Sequence, residues 1–320
     1  MQRDGGRARY CASRDNMRII RGLTHIRPDD RGVAVTLGNF DGVHRGHQAL
    51  LSALREAAPG LRRCVVCFEP QPLECLNPGM APVRLQSLSE KLRSLRDLGL
   101  EQVLVLRFDH ALSHMPAEDF VRRVLIDGLA MRHLVVGDDY RFGHQRRGDF
   151  ALLQALSGSG TYALQRLDTI VHEADRVSST RIREALAAGQ LQQAVACLGR
   201  PYSLRGRVVH GQKLGRKLGA PTANVALRRR SPLRHGVYCV RLNGCPAVAN
   251  IGLRPTVGGG GEHLEVHLLQ GAHDLYDQMV RVDFEQFLRP ERRFEDLEQL
   301  QQAIATDVAQ ARAHFSLESA

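Results

Sequence analysis

Two histidines, His44 and His47, open the chemistry legible in this chain. They lie in LGNFDGVHRGHQALL, which runs from an apolar strand-like stretch through glycines into a helical period. Gly38 and Gly42 let the backbone turn tightly and approach a ligand with no side chain in the way. Both imidazoles fall at the helix start, three residues apart, so their rings can face one loop. A helix N-terminus already attracts anions, and two imidazoles there add donors suited to a polyphosphate. A lone histidine would read as a surface or capping residue, but H-x-G-H directly after a buried strand does not.

A second anion site follows in VSSTRIR. Ser178, Ser179 and Thr180 bring hydroxyls and backbone N–H groups to the start of another helix, with Arg181 and Arg183 beside them. The same residues also suit simple N-capping, and the two roles are compatible. A third site lies in GRVVHGQKLGRKLGAPTAN. Gly211, Gly215 and Gly219 recur every four residues, with Lys213, Arg216 and Lys217 between them. G-K-[ST] is missing, so this is not a Walker A motif, yet a basic glycine loop can wrap phosphates through its N–H groups. Pro221 then stiffens the chain. Thr222 and Asn224, two apart on an extended segment, point to one side and offer hard oxygen ligands suited to Mg²⁺. In LEVHLL, alternation puts Glu265 and His267 on one face and Leu264, Val266 and Leu268 on the other.

These groups need elements to hold them. AVTLG, CVVCF, QVLVLRF and HLVVG read as buried strands. Helical stretches alternate with them: His44 to Ala58, SLSEKLRSLRDLG, AEDFVRRVLIDGL and FALLQAL. That alternation predicts a parallel sheet covered on both faces, with ligands beyond the carboxyl ends of its strands. TRIREALAAGQLQQAVACLG reads as two short helices split at Gly189. From Pro201 the texture changes to short β-like runs, SLRGRVV, GVYCVRL, PAVANIGL, LEVHLL and MVRVDFEQFL, and then a final helical stretch. A small antiparallel barrel closed by a C-terminal helix is expected there. The expected layout is a disordered extension over 1–16, an α/β domain over 17–187, a linker over 188–200 and a β-barrel domain over 201–320. Each motif set lies on one side of residue 190, so the two domains are expected to be separable.

Composition narrows the class. The 320 residues are 43% hydrophobic and 24% charged, ordinary for a globular protein. Aromatics are sparse and Trp is missing, so the cores must be aliphatic. The net charge of +10 is scattered, with only Arg228, Arg229 and Arg230 in a tight run. That pattern argues against nucleic acid as a partner and suits polyanionic small molecules. No apolar stretch approaches the ~20 residues of a membrane span, and the N-terminus lacks a secretory apolar run. Seven irregularly spaced cysteines argue against a disulfide framework. Cys64 and Cys67 in CVVCF would point to opposite strand faces, which reads as buried thiols rather than a zinc site. A cytoplasmic protein is expected, with nothing in the sequence to specify its oligomeric state.

GNFDGVHRGH resembles the signature of the HxGH nucleotidyltransferases in its flavin-synthase form, G-x-F-D-G-x-H-x-G-H. FEPQP (68–72), VVGDDYRFG (135–143) and VSSTRIR (177–183) match that form in order. Residues 206–224 resemble the riboflavin kinase signature G-x-x-x-G-R-x-L-G-x-P-T-A-N, and ANIGLRPTVGG, LEVHLL and DLYDQ resemble its later segments. The resemblance implies two reactions: riboflavin and ATP give FMN, and FMN and a second ATP give FAD and pyrophosphate. It implies that His44, His47, Ser179, Thr180 and Arg183 act on the phosphates of adenylyl transfer. Gly38, Phe40, Gly42, Asp139, Phe142, Ser178 and Arg181 would line the nucleotide site. Asp41 stands between that role and a purely structural one in its tight turn. Phe68, Pro70 and Pro72 would contact flavin in the first domain, and Asn250, Arg254 and Thr256 in the second. Gly211, Gly215, Arg216, Gly219 and Pro221 would hold ATP for the kinase, Thr222 and Asn224 its Mg²⁺, and Glu265 would be the general base.

Departures from the family pattern occur near the expected flavin-covering loop. D-L-Y-G becomes Asp274, Leu275, Tyr276 and Asp277, the preceding segment is Gln270, Gly271 and Ala272, and four glycines fill 258–261. Two other readings compete. One is a nucleotidyltransferase for another cofactor with a regulatory C-terminal domain, against which the intact PTAN and Glu265 segments count. The other is a basic nucleic-acid module, which leaves both nucleotide motifs unexplained.

Overall fold

The computed structural model describes residues 17–158, 160–173, 175–210, 222–253, 261–271 and 275–316. The chain separates into two compact units. One holds the chain up to Phe40 with His47–Ala81 and Lys91–Thr169; the other holds Asp41–Gly46, Pro82–Glu90 and the chain from Ile170.

The first unit is built on six parallel strands: β1 (Arg18–Arg21), β2 (Ala34–Leu37), β3 (Arg63–Glu69), β4 (Gln102–Arg107), β5 (His133–Gly137) and β6 (Ala163–Leu167). Their spatial order is β1-β4-β3-β2-β5-β6. The four expected strands are the four central ones. β1 and β6 are the edges, and they escape an apolar-run search because an edge strand is only half covered. Ile20 is the single buried residue of β1, and β6 has none. Val35, Val66, Leu104, Leu134 and Val136 point into one core with Val121, Val124 and Leu125. Those last three lie on an irregular helix. Ala117–Phe120 is α-helical, but Val121–Ile126 widens to a π-helix. α1 (Arg45–Ala57) buries Leu51, Ala53 and Leu54. Cys64 and Cys67 of β3 are fully buried and only Cys64 joins that core, as alternation requires. Burial pushes their thiols up to about 12 and about 11, so neither is a ready metal ligand.

The second unit is a closed antiparallel barrel of β9 (Tyr202–Val209), β10 (Thr222–Ala226), β11 (Gly236–Leu242), β12 (Cys245–Leu253), β13 (Glu262–Leu268) and β14 (Met279–Pro290). The strands run in the order β10-β13-β12-β11-β14-β9. The barrel interior is aliphatic with Tyr202, Tyr238 and Phe284. Two helices, Ser179–Ala187 and Leu191–Leu198, add Ile182, Leu186, Leu191, Ala194, Cys197 and Leu198 to that same core. The compact unit therefore begins upstream of the change in sequence texture. A short hairpin, β7 (Val171–His172) with β8 (Asp175–Arg176), precedes the first of these helices. The terminal helix, Leu297–His314, caps the barrel through Ala311 against Val237, Cys239 and Val248.

Candidate active sites

In the first unit, Gly38 ends β2 by donating its N–H to the Val66 carbonyl at 3.1 Å. Phe40 is fully buried with φ 50°, and its ring stacks on His47 with centroids 4.5 Å apart. The stack fixes the imidazole plane in the first turn of α1. Phe68 and Phe142, distant in sequence, are linked through Phe120, whose ring lies 6.3 Å from the first and 5.9 Å from the second. Phe108 meets Phe68 edge-on at 5.9 Å, and Tyr140 stacks on Phe142 at 5.7 Å. Phe120 and Phe142 are buried in the core, whereas Phe68 and Phe108 are half-buried at the carboxyl end of the sheet, where a ring can offer stacking surface to a planar heterocycle. Phe108 was not picked out by motif reading, since a lone Phe in a loop carries no local signal. Pro70 follows a cis peptide bond, and Pro72 starts a short helix capped by Gln71 and Glu74. Asp139 and its neighbour Asp138 are both exposed, and the Thr169 hydroxyl donates to the Asp138 carboxylate at 2.9 Å.

The second unit gathers the loop 41–46 and the helix of VSSTRIR. Asp41 is 2% exposed and its carboxylate is held by three donors. It accepts the N–H of Leu85 at 3.0 Å and of Gln86 at 3.0 Å, and Arg183 Nη2 at 2.6 Å. Its carbonyl accepts the Ser179 hydroxyl at 2.8 Å. Arg183 also donates Nε to the Val83 carbonyl at 2.6 Å, so its guanidinium is held at two points. Gly42 sits at φ +85°, where a Cβ would lie 2.7 Å from Leu85. Arg200 fixes the loop from behind, through the carbonyls of Gly42 at 2.6 Å and Val43 at 3.1 Å. Ser178 accepts the Arg181 N–H at 3.2 Å, which makes it the helix N-cap. Arg181 reaches the β7–β8 hairpin instead, donating to the His172 carbonyl at 2.8 Å. Thr180 is exposed at the helix start.

His44 is buried, and that burial holds its pKa down at about 4. Arg176, Arg200 and Arg183 add to the depression and Asp41 opposes it. At neutral pH the ring is uncharged. It can offer one N–H to a phosphate oxygen and cannot serve as a fixed cation.

On the barrel, three groups named separately from sequence fall in one row. Glu265 pairs with Asn224 of β10 on one side and with Asn250 of β12 on the other. Thr222 pairs with His267 one step along. Directly paired residues share a face, and this face is the outer one, because Leu264, Val266 and Val225 fill the interior. Glu265, Asn224, Asn250 and Thr222 are all half-buried. Beside this row His210 stacks on Tyr276 with centroids 4.1 Å apart, a pair that no motif announced. Gly211, Gly215, Arg216, Gly219, Pro221, Arg254 and Thr256 lie outside the described residues.

A carboxylate flanked by two amides thus lies on one outer face of the barrel, with the Thr222 hydroxyl one step along the same face. Models of two families match the chain in tandem, FAD synthetase over residues 26–181 and riboflavin kinase over residues 198–315. A bifunctional riboflavin kinase/FMN adenylyltransferase from Pseudomonas fluorescens is 50% identical over 304 residues, covering 93% of this chain and 97% of that protein. The chain belongs to the bifunctional riboflavin kinase/FMN adenylyltransferase family. The Escherichia coli K12 member is 45% identical, covering 94% of this chain and 99% of its own. A solved structure from Streptococcus pneumoniae, titled a macrolide-efflux protein, superposes with TM-score 0.81 at 28% identity over 92% of this chain and 98% of that one. That likeness is one of fold. Among the described residues of this family member, no helix is long and apolar enough to cross a membrane.

Proposed function

We infer that Glu265 is the base of the kinase reaction and that the Asp41–Arg183 assembly serves the adenylyl reaction. The chain phosphorylates riboflavin to FMN and adenylylates FMN to FAD. In the first reaction Glu265 takes the proton of the ribityl 5′-hydroxyl, whose oxygen attacks the γ-phosphorus of ATP, and ADP leaves. The observation that carries this is the pairing of Glu265 with Asn224 and Asn250 on adjacent strands. On this reading Asn250 contacts the flavin, and Arg254 and Thr256 take the same part by motif.

Thr222 and Asn224 fit Mg²⁺, since both present hard neutral oxygens on one face of β10. The ion supplies charge neutralisation at the phosphates. In the second reaction an FMN phosphate oxygen attacks the α-phosphorus of ATP and pyrophosphate leaves. His44 and His47 donate N–H groups to the phosphates. Arg183, Ser179 and Thr180 surround the charge that develops, so the catalysis is positioning and electrostatics. The half-buried Phe68 serves the flavin, and Phe142, a core residue, backs the nucleotide site.

We assign the adenylyl motifs to a domain over 17–187 and the kinase motifs to one over 201–320, in line with the matched segments. The free thiols of the described cysteines support a cytoplasmic location. Incubation with riboflavin and Mg-ATP, resolved by chromatography, tests the residue assignment when wild type is compared with Glu265→Gln and Arg183→Ala. Glu265→Gln should stop at riboflavin yet convert supplied FMN to FAD, and Arg183→Ala should stop at FMN. The opposite pattern overturns the assignment.

A further inference from the structure

Arg229 belongs to a basic run that neither reaction uses, yet its side chain is largely buried. Its guanidinium grips the short strap around Leu85. Nη1 donates to the Arg84 carbonyl at 2.8 Å and Nη2 to the Leu85 carbonyl at 2.8 Å. Nη2 also meets Glu90 at 3.3 Å. Tyr202, whose phenol burial pushes up to about 12, stays protonated and donates to the Leu85 carbonyl at 3.2 Å. The Arg205 N–H of β9 holds the other Glu90 oxygen at 3.1 Å. Three residues that flank or belong to barrel strands thus fasten the strap from one side.

The other side of the same strap holds Arg183. The Val83 carbonyl accepts its Nε, and the N–H groups of Leu85 and Gln86 set the Asp41 carboxylate that accepts its Nη2. Along the strap Val83 is therefore held by Arg183, Arg84 by Arg229, Leu85 by both Arg229 and Asp41, and Gln86 by Asp41. All of these groups lie in the second compact unit. Holding an arginine fork takes fixed acceptors, and a flexible strap would supply them only part of the time.

We propose that Arg229 is a positioning residue for adenylyl transfer, acting on Arg183 through the 83–86 strap, although its place in the sequence is among the kinase strands. This rests on the reading of Arg183 as a phosphate-directed group. Lysine at 229 keeps a charge for Glu90 but cannot fork to two carbonyls.

The test is a double-mutant cycle in the full chain, with kinase turnover measured on the same preparation as a control for the active fraction. Arg229→Lys should lower kcat for FAD formation from supplied FMN by about tenfold or more. Riboflavin phosphorylation should stay within about twofold of wild type. Tyr202→Phe, which removes one strap bond and keeps the ring, should lower FAD formation by a smaller factor. In an Arg183→Lys background, Arg229→Lys should cost much less than it does alone, because the group it positions is already compromised. A fold defect would lower both activities together and multiply through the cycle unchanged, and either result overturns the proposal. Normal FAD formation by both Arg229→Lys and Tyr202→Phe also overturns it. If Arg183→Lys itself forms FAD normally, the reading of Arg183 fails first, and the cycle shows which of the two was wrong.

Discussion

The carboxylate of Asp41 and the guanidinium of Arg183 meet at 2.6 Å across 142 residues of sequence, nearly shielded from water. The contact ties the turn of FDGVH to the helix of SSTRIR. Three donors, the N–H groups of Leu85 and Gln86 and the Arg183 guanidinium, already converge on the Asp41 carboxylate, which suits a residue that holds the loop. Asp41→Asn presents an amide to donors that need acceptors. Breaking a buried pair in this way costs about 3 kcal/mol or more. A lowered melting temperature, with FAD formation falling at least about tenfold and kinase turnover retained, is the expected outcome. Unchanged FAD formation would show that Arg183 keeps its place without the carboxylate.

His44 makes a prediction in pH. Its folded pKa is about 4 against an ordinary 6.5. Between those values the unfolded chain binds a proton that the folded chain does not, so stability rises with pH across the window. It is lost progressively as pH falls from about 6.5 towards 4, by up to roughly 3 kcal/mol. Denaturant midpoints measured across that range should flatten in His44→Asn. An equally steep profile in the variant would place the titration elsewhere.

His44→Ala and His47→Ala should abolish FAD formation and spare FMN formation, since both rings belong to the adenylyl motif. For His47→Ala the loss includes the stack on Phe40. Chromatography of the two flavin products separates the cases, and equal loss of both in a folded variant would count against two distinct sites.

The kinase row separates a base from metal ligands. Glu265→Gln keeps shape and removes basicity, so FMN formation should fall by about 10²–10⁴-fold at any Mg²⁺ concentration. Thr222→Ala and Asn224→Ala should regain part of their activity as Mg²⁺ is raised. FAD formation from supplied FMN should be untouched in all three. Rescue of Glu265→Gln by metal would falsify the assignment of the base.

Separability of the domains meets a structural obstacle. A fragment of residues 17–187 lacks Arg200, which holds the carbonyls of Gly42 and Val43, and lacks Tyr202 and Arg229. FAD formation by that fragment is expected to fall below about a tenth of the full chain's rate. A fragment as active as the whole chain would show that the loop is fixed without these anchors.

Sequence by itself determined the chemistry and the local faces. The H-x-G-H, SSTRIR and PTAN segments carry their functional groups within a few residues of one another, where backbone period alone sets direction. Alternation in LEVHLL sufficed to put Glu265 opposite the core-facing leucines, and the barrel bears that out. The four central strands were legible for a different reason, as continuous apolar runs buried on both faces. Only the tertiary structure decided the rest. Asn224 and Asn250 flank Glu265 through strand register, which barrel closure sets. Edge strands β1 and β6 carry too little apolar area to announce themselves. Arg181 and Arg183 are two apart in one motif, yet one reaches a hairpin and the other a buried carboxylate. Residues two apart on a helix point about 200° apart, and what each meets there is contributed by distant segments that only packing brings within reach.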